Sequence, residues 1–188
     1  SSHHRYYARK ALKNISVDVS ETPILFLDEW TNLYADLTKR FDVRGIRAFS
    51  KAAFARQLEI PGAVMFRALY EGTAVAAHVA YIQDKVCYGH LAGVNTLGQK
   101  LMASYALYWS EIEYFADKAE WLDWGAGVGI QQNDNDGVAQ FKRGWSTGTR
   151  VSYFCGKIFD HEKYDQIVNA YDTIATEYFP AYRTGEFS

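Results

Sequence analysis

The stretch from Leu122 to Trp145 reads LDWGAGVGIQQNDNDGVAQFKRGW. An acid, Asp123, closes a short apolar run. Gly125, Gly127 and Gly129 follow, then a polar loop from Gln131 to Asp136, then Phe141, Lys142, Arg143 and Trp145. Glycines after a strand let backbone N–H groups approach an anion closely. The Lys142–Arg143 pair adds positive charge for that anion. The pattern suits a ligand that carries phosphate. Upstream, His90 is a candidate base, because an imidazole titrates near neutrality. Tyr88, two residues away, could donate a proton or shape a pocket. Asp123 could orient an amine or cap its loop, and His78, set among alanines, reads as structural.

The surrounding pattern says which elements must hold these residues. Residues 3–13 carry Arg5, Arg9 and Lys13 on one helical face. Ile15 to Val19 alternates as a short strand. Leu25 to Phe41 has helical apolar spacing through Trp30, Leu33, Tyr34 and Leu37. Ser50 caps a second helix, Lys51 to Leu58, which Pro61-Gly62 ends. Strands are expected over 63–70, 73–82 and 86–94, joined by tight turns at Glu71-Gly72 and at 83–85, an antiparallel meander. On the third strand, alternation puts Tyr88, His90 and Ala92 on one face and Cys87, Gly89, Leu91 and Gly93 on the other. A polar loop, Asn95 to Lys100, leads into a helix that runs to about Lys118 with Tyr105, Tyr108, Ile112 and Phe115 on one face. Further strands are expected over 120–124 and 149–159, and a last helix from His161 to Tyr178. The tail from residue 180 is expected to fray.

Two known patterns resemble the central stretch. LDWGAGVG is similar to the first motif of S-adenosylmethionine methyltransferases. That motif needs a helix directly after its glycines, whereas QQNDND forms a loop, and too little chain follows for a doubly wound sheet. The stretch as a whole resembles the C-terminal module of FemAB-like acyltransferases of the GNAT superfamily. That module has a D-x-G strand end, a short loop and a GL-x-x-FK-x-x-[FW] helix. The matching residues are Asp123, Gly125, Gly137, Phe141, Lys142 and Trp145, with Val138 in place of Leu. Residues 4–11, HRYYARKA, resemble the H-R-x-x-R-K-A segment that leads into this module in those proteins, with one residue more between the arginines.

The resemblance implies an α/β fold of the mixed α+β kind: a central, mostly antiparallel mixed sheet flanked by helices, one domain over 1–188. Residues 1–13 would then be a linker from an upstream module. It implies transfer of an acetyl, other acyl or aminoacyl group to an amine on a small molecule, sugar or peptide, in cell-envelope or polysaccharide metabolism. The donor would be acetyl-CoA or another acyl-CoA, or an aminoacyl-tRNA. The implied donor contacts are Asn95, Thr96, Gly98 and Gln99, where the superfamily has [RQ]-x-x-G-x-[GA] and this chain has NTLGQK, together with Phe141 and Lys142. Lys142 would engage negative charge on the donor, with His90, Tyr88 and Asp123 as the other catalytic candidates. The alternative is a GNAT-like module that binds without catalysis.

The bulk numbers narrow the classes. The chain has 188 residues, 48% of them apolar and 22% charged, as expected of one globular domain. Its formal net charge is −2, which gives no global field for nucleic acid; only the basic face of residues 5–13 offers such a contact. No apolar run has the length of a membrane span. Cys87 and Cys155, both in expected strands and without a CxxC spacing, read as buried thiols of a cytoplasmic protein rather than as metal ligands. No metal is expected.

Overall fold

A computed structural model of the chain describes residues 1–127, 136–153, 155–171, 176 and 178–185. Gly129, the loop from Gln131 to Asn135, and parts of the expected last strand, last helix and tail lie outside them.

The meander forms because two tight turns fold three apolar runs on each other. Glu71 and Gly72 both take positive φ, 49° and 79°, the geometry of a two-residue hairpin turn. Strands β2 (Ala63–Tyr70), β3 (Thr73–Gln83) and β4 (Val86–Val94) pair antiparallel, and β1 (Ser16–Ser20) adds antiparallel to β2. β5 (Trp121–Asp123) runs parallel to β4, completing a mixed sheet in the order β1-β2-β3-β4-β5 among the described residues.

Helices cover both faces. α1 (Ser2–Ala11), α5 (Ala103–Phe115) and α6 (Gly137–Trp145) lie on one side, where Phe66, Cys87, Leu107 and Phe115 are fully buried. α2 (Leu27–Arg40) and α3 (Lys51–Leu58) cover the other, over Trp30, Phe54, Met65 and Val79. Met65 and Phe66 are consecutive and point to opposite faces, as the two-residue period of a strand requires. Each such large side chain stabilises the fold by about 1.5–3 kcal/mol through burial. Ser50 caps α3, its Oγ accepting from Ala53 N–H at 3.2 Å.

The polar segment after β4 is a one-turn helix, α4 (Thr96–Lys100), rather than a loop. Met102, at φ 59°, separates it from α5.

Four further expectations need correction. The described residues of 149–159 form no strand. β5 is only three residues long, so its outer edge offers little ladder to pair with, and Val151, Tyr153 and Phe159 are exposed. Cys155 is accordingly exposed, while Cys87 is buried as expected. The last helix, α7 (His161–Ala170), ends well short of Tyr178, and Tyr164 Oη on it accepts from Ala181 N–H at 2.9 Å.

The fourth correction concerns the faces of β4. Val79 pairs with Leu91 and Ala80 with Gly89, so His90 is an extra, unpaired residue in a β-bulge. The bulge resets the alternation. His90, Leu91 and Gly93 face α2 and α3, through Gln57, the second core cluster and Leu33 respectively. Ala92, opposite His78, lies on the α5 side.

Candidate functional site

β4 and β5 stay in register over Val86–Trp121, Cys87–Leu122 and Tyr88–Asp123. Beyond that pair the ladder stops, and the chain turns away at Gly125, whose φ is +69°. Among the described residues the edge of β4 therefore has no strand partner from Gly89 onward, which leaves a wedge with the His90 bulge at its apex.

Lys142 approaches this wedge from α6. Asp136 caps that helix, its Oδ1 accepting from Val138 N–H at 2.9 Å. Phe141 packs edge-on against Tyr105 and Tyr108, at 5.0 and 4.9 Å between ring centres. With Phe141 fixed on α5, Lys142 is directed to the turn after β5. Its Nζ donates to Ala126 O at 2.6 Å and lies 3.7 Å from where a Gly125 side chain would begin. Burial holds its pKa below the ordinary lysine value, opposed by the carboxylates of Asp136 and Asp123. The result is a partly desolvated cation at the apex. Asp123 Oδ1 accepts from Gly125 N–H at 2.8 Å and so fixes the turn. Phe141 is thus a packing residue that orients its neighbour.

His90 stands on the other side of the sheet. Its Nε2 lies 3.2 Å from Gln57 Oε1, and its ring 5.1 Å from that of Tyr81. Solvent reaches His90, yet the protein around it lowers its pKa, and His78 lowers it further. Tyr88 is 43% exposed.

The structure thus brings together Tyr88, His90, Asp123 and Lys142 around one end of the wedge. Asn95, Thr96, Gly98 and Gln99 lie at the far end of β4. At ~3.3 Å per residue, Gly89 and Asn95 are about 20 Å apart. Asn95 Oδ1 accepts from Gly98 N–H at 2.8 Å as the cap of α4. Gly98 is buried, and a side chain there would overlap the Val75 carbonyl. Thr96 and Gln99 are exposed.

Two features escaped the sequence reading. Arg40, at the end of α2, donates to Val94 O at 3.3 Å and faces the Gln99 side-chain amide, whose oxygen, with the amide turned toward it, accepts at 3.1 Å. It sets a cation at the far end of the wedge, but no sequence spacing links it to Asn95. The other is Glu111, fully buried on α5 against His78, with Nδ1 and Oε1 2.5 Å apart. Its signal was available: Ala103, Leu107, Glu111 and Phe115 form one helical stripe, and an acid inside an apolar stripe requires a partner. Among the described residues no cluster of three or more His, Cys, Asp or Glu could hold a metal ion. No helix among them is long and apolar enough to cross a membrane.

The fold is shared with solved structures that include acetyltransferases. An aminoglycoside acetyltransferase from an uncultured soil metagenomic sample, solved with sisomicin, superposes with a TM-score of 0.57 at 15% identity, over 78% of this chain and 97% of that one. A possible acetyltransferase from Clostridium difficile 630 gives 0.57 at 9% identity, over 78% and 99%. FemX gives 0.62 at 10% identity over 76% of this chain, which spans about half the length of FemX (53%). No curated protein matches the chain. The acetyltransferase (GNAT) domain family matches residues 2–143, from α1 through Lys142 to Arg143, and the chain belongs to that family.

Proposed function

We propose that the protein transfers an acyl group from a coenzyme A thioester to an amine, with the donor laid along the open edge of β4. One observation carries this reading: the wedge has a candidate base and a candidate cation on opposite faces of the sheet at its apex. His90 faces α3 and Lys142 comes from α6. An amine arriving on the His90 side can lose its proton there, and the negative charge developing on the donor meets the Lys142 ammonium. Acyl transfer needs these two functions and an in-line approach between them.

The far end of the wedge suits the anionic part of such a donor. Arg40 and the start of α4 lie about 20 Å from Gly89, room for an extended thiol-bearing arm between them. Asn95 shapes this end as a cap and Gly98 by packing, while Thr96, Gln99 and Arg40 are exposed to a ligand. Tyr88 and Asp123 border the apex, where an incoming amine would pass. The amine belongs to a small molecule, sugar or peptide. An aminoglycoside acetyltransferase among the fold neighbours favours an amino-sugar acceptor, and a role in cell-envelope or polysaccharide metabolism is part of the proposal.

Thermal unfolding with acetyl-CoA tests the donor. A ligand at 100 times its dissociation constant adds about 2.7 kcal/mol of stability, and the resulting rise in midpoint should shrink in Lys142→Met. Transfer to a panel of amino sugars and peptides then identifies the acceptor. No rise with any acyl-CoA would reject this donor. Aminoacyl-tRNA would be the next donor to assay, and inertness with both would leave a binding module.

A further inference from the structure

The proposed chemistry leaves one buried ionisable pair unused. His78 is 2% exposed and Glu111 0%. Glu111 Oε1 engages His78 Nδ1, while Oε2 has no hydrogen-bond partner among the described residues. Stability alone does not call for such a pair, because apolar side chains of similar volume usually hold a core as well or better.

The surroundings direct the imidazole toward the wedge. Tyr108 lies nearly parallel to the ring, 5.1 Å between centres and tilted by 23°, and Trp124 lies 4.6 Å beyond Tyr108, together walling off one side. On another side stands Gly89, the last residue before the bulge. A Cβ at Gly89 would sit 3.2 Å from His78 Cε1 and 3.5 Å from both His78 Nε2 and Asp123 O. Only a glycine backbone separates Nε2 from the point where β4 and β5 part. The titratable groups around the ring are Glu111 and Tyr108 from α5 and Cys87 and His90 from β4; β2 presents Phe66 and β4 Ala92 as register partners.

We propose that His78, held through Nδ1 by Glu111, is the acid that protonates the departing sulfur in the transfer reaction. This rests on the thioester reading above. The amine nitrogen bonds to the carbonyl carbon and the C–S bond breaks with its electron pair on sulfur. The sulfur takes the proton from His78 Nε2, and the amine's surplus proton goes to His90. Solvent restores both groups before the next turnover. Lys142 supplies charge at the apex and His78 supplies the proton.

The test compares acetyl-CoA with acetyl-seleno-CoA, which has the same shape but a leaving group acidic enough to depart as the anion. His78→Gln should lose on the order of 100-fold in kcat with acetyl-CoA, and less than about threefold, a marginal loss on that scale, with the seleno donor. Gly89→Ala, which keeps the pair and interposes a methyl group, should show the same selectivity if His78→Gln does not fold. Nitrogen-15 NMR of the wild-type imidazoles gives a readout without donor: His78 Nε2 should carry the proton that the step delivers, and an unprotonated Nε2 would overturn the proposal. Equal losses on the two donors would overturn it as well. A wild-type protein inert to both donors would instead reject the thioester reading, and this inference with it.

Discussion

Tyr88 and Asp123 face each other across the β4–β5 ladder and are its last registered pair. Two residues further on, His90 is left unpaired by the bulge in β4. Partial desolvation by the surrounding protein first, and the neighbouring His78 second, hold the His90 pKa below 6.5. A lowered value keeps the imidazole neutral at pH 7 and able to accept a proton. Activity should therefore be level around neutrality and fall as the pH drops below 6.5 through the folded value. His90→Gln should lower kcat on the order of 100-fold and remove this acid limb from the profile of kcat/KM against pH. An acid limb that survives in the variant would assign the proton to another group.

Arg40 makes a second prediction at the other end of β4. Its guanidinium holds Val94 O and the Gln99 amide while remaining exposed. A charge-assisted hydrogen bond contributes about 1.5–3 kcal/mol. Solvent and salt reduce this at an exposed site, so Arg40→Gln should weaken acetyl-CoA binding roughly tenfold. Calorimetry at low and high salt checks it: the gap between wild type and variant should narrow as salt rises. Equal affinities at low salt would remove Arg40 from the donor site.

The meander, the helices on either face and a helix carrying Phe141, Lys142 and Trp145 were legible because each rests on a local signal, although FKRGW, expected at the start of its helix, forms the last turn of α6. Hydrophobic period and turn residues act within a few residues. What was not legible depends on pairing between distant strands. The bulge at His90 exists only in the register of β4 against β3, and it moved Leu91 and Gly93 to the face opposite the one that alternation gave. The 149–159 segment has strand-like residues, but strand formation needs an available edge, which a three-residue β5 barely provides. Arg40 was invisible for the same reason, since its neighbours Val94 and Gln99 come from another part of the chain. Glu111 was the opposite case: its helical stripe was readable, and its partner His78 was already singled out as structural.

Gly98 tests the packing that seats α4. The bulge in β3 leaves Val75 unpaired against β2, and its carbonyl turns to accept from Asn95 N–H at 3.0 Å. A methyl group on Gly98 would overlap that oxygen, and backbone on both sides can yield little. Gly98→Ala should cost about 1–3 kcal/mol, read as a lower urea midpoint with an unchanged slope. Gly137→Ala is the control. A side chain there meets nothing within 4 Å, so the midpoint should hold or rise by up to about 1 kcal/mol.

Cys87 and Cys155 should differ sharply in reactivity. Cys87 is 1% exposed, and burial, with the charge of Glu111 adding to it, pushes its thiol from 9.0 up to about 12. The thiolate is the reactive form, so in the folded protein Cys87 is protected both by access and by protonation. Iodoacetamide should label the exposed Cys155 at once and Cys87 only when the sheet opens. The labelling rate of Cys87 in Cys155→Ser should therefore follow urea through the unfolding transition. The same shift gives stability a sign in alkali. Above 9.0 the unfolded chain gives up the Cys87 proton while the folded chain keeps it until about 12, so stability is whole below 9.0 and falls as the pH rises past it. Cys87→Ala should flatten that part of the alkaline decline, and an unchanged slope would place the decline on other groups.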